Sequence, residues 1–331
     1  MLTIQRRKML DGLARLGVAS LAVFASPLWA QAPQKGKLAP KLRIVIPAMA
    51  RSSLDDAGRA LGDALTIAGV CDEVEYENRD GRGGTAGLAY YADKYSRDPN
   101  TLLMGDSSLV GAIALHKPVV DLNRVLPVAR LASDYLVLVV AAASPLKTVA
   151  EVSERLRNNV KQMPIAIGAL GGVEHVFAGL LAKSAGTSAD DVVYQPFARR
   201  FELVDAVLSG KAGAAISGFS TFNADIASGK LRAIGVSSRR SAYGLKSMRE
   251  QGMDVDMTNW RAAFTGREVP PARQAEMVEA FRTVASGDSW KKSLKDAYWE
   301  PSWLVGPDLA GFIDIDMKTA LLMTQLLKLK A

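Results

Sequence analysis

The sequence predicts an α/β fold, on three observations. Strand-like and helix-like segments alternate from Lys41 onward. Junctions between them are rich in glycine, serine and other small residues. A chain of 331 residues, 49% hydrophobic and 23% charged, has the length and composition for about two domains with their own cores.

The first thirty residues read as an export signal rather than part of the fold. Arg6, Arg7 and Lys8 precede the apolar, small-residue run "LGVASLAVFASPLWAQA". That run is shorter than the roughly 18 residues of a membrane span. Arg6-Arg7-Lys8-Met9-Leu10 is similar to a twin-arginine signal, although Gln5 stands where Ser or Thr is usual, so a Sec signal is the alternative. Cleavage falls between Ala30 and Ala32, giving a signal peptide over 1–32. The mature protein is expected in the periplasm, not embedded in a membrane.

The formal charge is +7; four Lys/Arg and one Asp fall in residues 1–30, leaving +4 for the rest. No basic stripe with interleaved aromatics appears, so nucleic acid is not an expected partner. A mild positive excess suits an anionic ligand. Cys71 is the one cysteine, which excludes an intrachain disulfide; it reads as a buried hydrophobe.

Past a polar lead-in, "KLRIVIP" (41–47) is a β-branched strand and Ser53–Gly69 has helical spacing and a glycine stop. Asp72–Asn78 alternates as a strand, Ala86–Tyr95 reads as a helix and Asn100–Gly105 as a buried strand. This β-α-β-α-β order predicts a parallel sheet with helices on its faces. Strands follow at 136–143, 164–172, 191–197, 213–218 and 230–238, with helices at 148–158, 173–184 and 201–212. The tail from Pro270 reads as mainly helical, ending in an amphipathic segment at 320–330.

Three strand-to-helix junctions place small residues at a helix start: Ile46–Asp56, Asn78–Gly87 and Ile167–His175. A helix N-terminus presents unpaired N–H groups and a partial positive charge, and small residues let an anion approach it. Three such junctions point to a cleft for a small anion. The rival reading takes Gly81-Arg82-Gly83-Gly84-Thr85-Ala86 as a loose GxGxxA fingerprint with Asp106 beyond it, which would make the chain an exported NAD(P)-binding oxidoreductase using the Gly81–Gly87 loop. Against it, that fingerprint should follow the first strand of its unit, and here it follows the second. Catalytic signals are sparse: His116 and His175 are the two histidines, and no metal-ligand cluster, GxSxG elbow or HExxH helix is present. No enzyme activity, cofactor or metal is expected.

The ordered motifs "VIP…D…AR", "ENR-x-G-x-GGT-x-G", "P-x-TLL-x-G", "G-x-x-GG", "V-x-Y-x-PF" and "GKLRAIGVSS-x-R" resemble the extracytoplasmic receptors of tripartite tricarboxylate transporters, the Bug receptors. The resemblance runs from about Lys41 to the C-terminus. It implies a two-lobed, type II periplasmic binding protein (Venus flytrap) fold. It also implies capture of a small di-, tricarboxylate or related acid and delivery to membrane transporter subunits, as a monomer. Lobe one would take 38–140 plus 240–331, and lobe two 141–239. By position, ligand contacts would come from Arg51, Ser52, Ser53 and Asp55 on the first loop and Gly83, Gly84 and Thr85 on the second. Ser107 and Ser108 would follow the third strand, Gly171, Gly172 and His175 would open a helix of the other lobe, and Phe197 and Arg199 would lie on its next loop. The glycine loop would then cap a carboxylate, not a pyrophosphate. The family's Pro-Gly-Gly-Pro-Thr-Asp run is Ala50-Arg51-Ser52-Ser53-Leu54-Asp55 here, and its Pro-Tyr-Lys-Gly is Pro196-Phe197-Ala198-Arg199. Close backbone approach is harder, but Arg51 adds a guanidinium able to pair with a second carboxylate. Plainer roles stand beside these: a solvated Arg51, a helix-capping Asp55, a hydrogen-bonded His175.

Overall fold

The structure is a computed structural model, and it describes residues 37–330. The expected signal peptide lies outside the described residues. The chain begins β1 (Lys41–Ile46), α1 (Ser53–Ile67), β2 (Glu73–Asn78), α2 (Thr85–Tyr95), β3 (Thr101–Asp106), α3 (Ser107–His116) and β4 (Val125–Asp134). It continues β5 (Leu136–Ala141), α4 (Val149–Asn159), β6 (Ile165–Ile167), α5 (Val173–Ser184), β7 (Tyr194–Pro196), α6 (Arg200–Leu208), β8 (Ala214–Gly218), α7 (Phe219–Ala227) and β9 (Leu231–Val236). It closes with β10 (Asn259–Gly266), α8 (Pro271–Ser286), α9 (Asp288–Asp296), β11 (Glu300–Val305) and α10 (Gly306–Leu326).

Two sheets form. The first has the order β11-β4-β10-β3-β1-β2 and the second β7-β6-β8-β5-β9. β1 pairs in parallel with β2 and β3, as the alternation predicts, while β10 runs antiparallel to β3 and β4. In the second sheet β6 is parallel to β7 and β8, and β5 is antiparallel to β8 and β9. Each sheet is buried on both faces because its strands alternate two apolar sets. Leu42, Ile44 and Ile46 join α1, α8 and α9 in one core, whereas Val45 and Leu103 face Leu88, Tyr91 and Phe264 in another. In β5, Leu136, Leu138 and Val140 enter one core of the second lobe, and Val137 and Val139 the other.

The chain passes between sheets at Tyr135, the single residue between β4 and β5. All of β5 therefore belongs to the second lobe, and the expected limit at 140 falls at its far end. Past β9, Met248, Met253 and Val255 still pack in the second core, and Ser237 Oγ donates to Met257 O at 2.6 Å. The return lies near Thr258 rather than 239. The tail also reaches back: Leu327 packs with Val176 and Ala189, and Lys330 pairs with Asp190 at 2.7 Å. Apolar residues draw a segment to whichever core they fill, which a linear division does not register.

Five elements lie beyond the sequence reading: β4, α3, α7, β10 and β11. Conversely, the strand expected over 164–172 is three residues long, because Gly168–Gly172 turns away to start α5. Among the described residues, no helix is long and apolar enough to cross a membrane.

Candidate functional site

A cavity of about 390 Å³ lies between the two sheets. Its walls are the loops that leave the carboxyl ends of β1, β2, β3, β6, β7 and β8, each leading toward a helix N-terminus. This is where open α/β sheets bind ligands.

From the first lobe come Ser52 and Ser53 at the start of α1, Arg82 and Gly83 before α2, and Asp106, Ser108 and Leu109 at the start of α3. Ser52 caps α1, its Oγ accepting from Asp55 N at 3.2 Å. Asp106 caps α3, accepting from Leu109 N at 2.9 Å. From the second lobe come Gly168, Ala169 and Glu174 around the start of α5, Phe197, Arg199 and Arg200 before and within α6, and Ser217 at the end of β8.

The floor rests on a buried ion pair. Arg261 Nη1 donates to Asp134 Oδ1 at 2.8 Å, and Nη2 donates to Ser53 Oγ at 2.6 Å. Its guanidinium lies 4.7 Å from the Trp299 ring centroid. One arginine thus fixes the first-loop serine to the strand at which the chain changes lobe. The cleft is also tied across. Arg200 Nη2 pairs with Asp56 at 2.9 Å, and Val173 N donates to Ser108 Oγ at 3.3 Å. Gly111 of α3 lies so close to the 171–172 turn that a methyl there would stand 2.1 Å from Gly171 O.

Charge in the cavity is segregated. Asp106 is buried and Glu174 partly buried, whereas Arg82 and Arg199 are exposed. Burial, then the nearby Asp106 and Asp134 carboxylates, pushes the Glu174 carboxyl up to about 7. Burial likewise raises the Asp106 carboxyl.

Comparison with known proteins agrees with this geometry. The residue pattern of the family described as "Tripartite tricarboxylate transporter family receptor" matches residues 63–326. The chain belongs to the tripartite tricarboxylate transporter receptor family. It is 25% identical over 237 residues to a UPF0065 protein in the tcbD-tcbE intergenic region of Pseudomonas sp. (strain P51), covering 71% of this chain and 67% of that one. Among solved structures, the periplasmic binding protein BugD is similar with a TM-score of 0.77 at 17% identity, over 88% of this chain and 98% of that one. MatC from Rhodopseudomonas palustris with bound malate gives 0.74 at 19%, over 86% and 98%. Another R. palustris protein, solved with adipate, gives 0.77 at 17%, over 88% and 98%. These likenesses establish the two-lobed periplasmic binding protein fold.

In this receptor, Ser52, Ser53, Gly83, Ser108, Phe197 and Arg199 all reach the cavity. The other expected contacts stand elsewhere. Arg51 is exposed and does not line the cavity; its φ of 65° turns the chain as the family's glycine would, and the side chain leaves toward solvent. Asp55 is buried and saturated within the protein. It accepts from Arg51 N at 2.8 Å, Asn78 Nδ2 at 2.9 Å and Arg59 Nε at 3.0 Å. Gly84 and Thr85 are buried beneath the turn, where a methyl on Gly84 would stand 2.7 Å from Pro47 O. The glycine loop packs against its own protein, and Gly83 alone of its glycines reaches the cavity.

Ser107 bridges Thr258 and Trp260 and faces a second cavity, of about 650 Å³, behind the contact of α3 with α5. Gly171 donates to His175 Nδ1 at 2.9 Å, and Gly172 is buried; neither lines the cleft. His175 is buried, edge-on to Tyr194, and burial pushes its pKa down to about 4. It is a neutral structural acceptor, with its own Nε2 left unpartnered.

Glu174, Arg200 and Arg261 are not among the contacts expected from the sequence, and Asp106 enters there only as the acid beyond the loose GxGxxA fingerprint. Signals existed for two of these. Arg261 interrupts the apolar run "NWRAAFTG", and Asp106 precedes a helix as an N-cap. Glu174 reads simply as a first-turn acid, and its place in the cleft emerges only from the fold.

Proposed function

We propose that this receptor is a periplasmic solute-binding protein that closes its two lobes on a small carboxylate and presents it to a membrane transporter. The observation that carries the reading is the cleft itself, walled by strand-end loops of both lobes and bridged by the Arg200–Asp56 pair. A ligand touching both walls stabilises the closed form, which a transporter can then distinguish from the open one. The ligand carboxylate would meet the first turn of α1 at Ser52 and Ser53, with Arg199 at the rim. Malate and adipate, held by similar proteins, set the size class. Catalysis has no part in this reading, and the chain acts as a monomer delivered to the periplasm by its N-terminal signal.

A thermal-shift screen of mono-, di- and tricarboxylates, amino acids and NADP tests it. Stabilisation by at least one carboxylate is expected. A shift with NADP alone would instead support the oxidoreductase reading of the Gly81–Gly87 loop.

A further inference from the structure

We propose that Glu174 makes this cleft selective for a carboxylate that also carries an ammonium group, held against Glu174 at the start of α5. The proposal rests on the carboxylate-capture reading above and narrows its ligand class.

Glu174 is the second residue of α5, and its carboxylate lies over the turn that opens the helix. A methyl built on Gly168 or on Gly172 would stand 3.4 Å from Glu174 Oε2. The N-terminus that could cradle a ligand carboxylate is therefore already covered by a carboxylate of the protein. Among the described residues, Glu174 forms no ion pair and no hydrogen bond to another side chain, and its own backbone N–H stabilises its charge by hydrogen bonding. A partly buried carboxylate that lines a cleft without an ion-pair partner is costly, and a cationic ligand group would offset that cost.

The surrounding groups indicate which ligand does so. Asp106 faces the same space from the first lobe, with one oxygen committed to Leu109 N. Ser108 Oγ would stand 3.5 Å from the same methyl on Gly172, so acceptor oxygens converge there from both lobes. The nearest buried cation, Arg261, is occupied by Asp134 and Ser53. Arg200 is paired with Asp56, and Arg82 and Arg199 lie at the exposed rim. A second anion driven inward would meet Asp106 and Glu174. A zwitterion fits both ends: ammonium inward to Glu174, carboxylate toward α1 and Arg199. The raised pKa of Glu174 agrees: burial and the Asp106 and Asp134 carboxylates outweigh the distant Arg261, and an ammonium group placed there would offset them.

Calorimetry at pH 8 with three matched pairs tests this: aspartate and succinate, glutamate and glutarate, β-alanine and propionate. In the wild type the amino member of at least one pair should bind about tenfold or more tightly than its partner, as for a charge-assisted hydrogen bond. E174Q should bring that ratio near one, and E174T, which uncovers the helix N-terminus, should improve the simple acids. Circular dichroism confirms that both variants fold. Equal or tighter wild-type binding of the simple acids would overturn the proposal while leaving carboxylate capture intact. No binding by any of the six acids would count against carboxylate capture itself, and the proposal would fall with it.

Discussion

Arg200, in the first turn of α6, pairs with Asp56 of α1 at 2.9 Å and joins the two lobes beside the cleft. Both side chains are more than a third exposed, so the pair adds little to folding. Its effect is on the balance between open and closed forms. Arg200→Ala should change unfolding free energy by less than about 1 kcal/mol. Ligand affinity should nevertheless fall by roughly two- to tenfold, because the closed form alone loses the contact. Urea denaturation and calorimetry on the same samples check both parts.

The pair formed by Arg261 and Asp134 behaves in the opposite way. Both side chains are almost fully buried. Removing one partner strands a charge, so Arg261→Met should cost about 3–5 kcal/mol of stability. Asp134→Leu together with Arg261→Met should cost clearly less than the two single changes added. A double-mutant cycle by urea denaturation measures the difference.

Arg51 sits at a φ of 65° with its side chain in solvent. Arg51→Gly should leave stability within about 1 kcal/mol of the wild type, with relief of a left-handed backbone opposing the entropy of glycine. Affinity for di- and tricarboxylates should be unchanged. A loss of binding selective for polycarboxylates would put the guanidinium back in the cleft, where the sequence alone had placed it.

Partly buried Glu174 and buried His175 give the protein a pH profile of stability. The Glu174 carboxyl rises to about 7 from its ordinary value, so the native state holds this proton more tightly than the unfolded chain. Stability therefore falls as pH rises from about 4.5 to about 7, and the penalty is complete above that window. His175 falls to about 4, so the unfolded chain takes up a proton first. Its contribution is present above about 6.5 and is lost as pH drops toward 4. Glu174→Gln should stabilise the protein on the order of 1–3 kcal/mol at pH 8, allowing for solvent screening, and not at pH 4.5. Chemical denaturation at the two pH values checks the sign.

Local patterns made much of the fold legible. Ser53–Ile67 and Val149–Asn159 were readable because their caps and apolar spacing are local, down to the Thr148–Glu151 capping box. β10 was not, because Arg261 breaks its apolar run and its partner Asp134 lies 127 residues away. The same limit governed the site. Ser52, Ser53, Ser108, Phe197 and Arg199 follow strands in sequence and so fall in the cleft. Arg51 also follows a strand, but its backbone angle sends it outward. Asp55 and His175 have the right chemistry, yet they spend it on internal partners such as Asn78 and Gly171.

We expect a small carboxylate to be held between the lobes, in the cleft lined by Ser53, which Arg261 supports from behind. A crystal structure grown with the tightest-binding acid from the screen tests it most directly. Ligand density is expected to touch Ser53 or Ser108 from one lobe and Phe197, Arg199 or Glu174 from the other, with the Arg200–Asp56 pair formed. Density only behind the contact of α3 with α5, beside Arg130 and Trp260, or a nucleotide along the Gly81–Gly87 loop with this cleft empty, would contradict it.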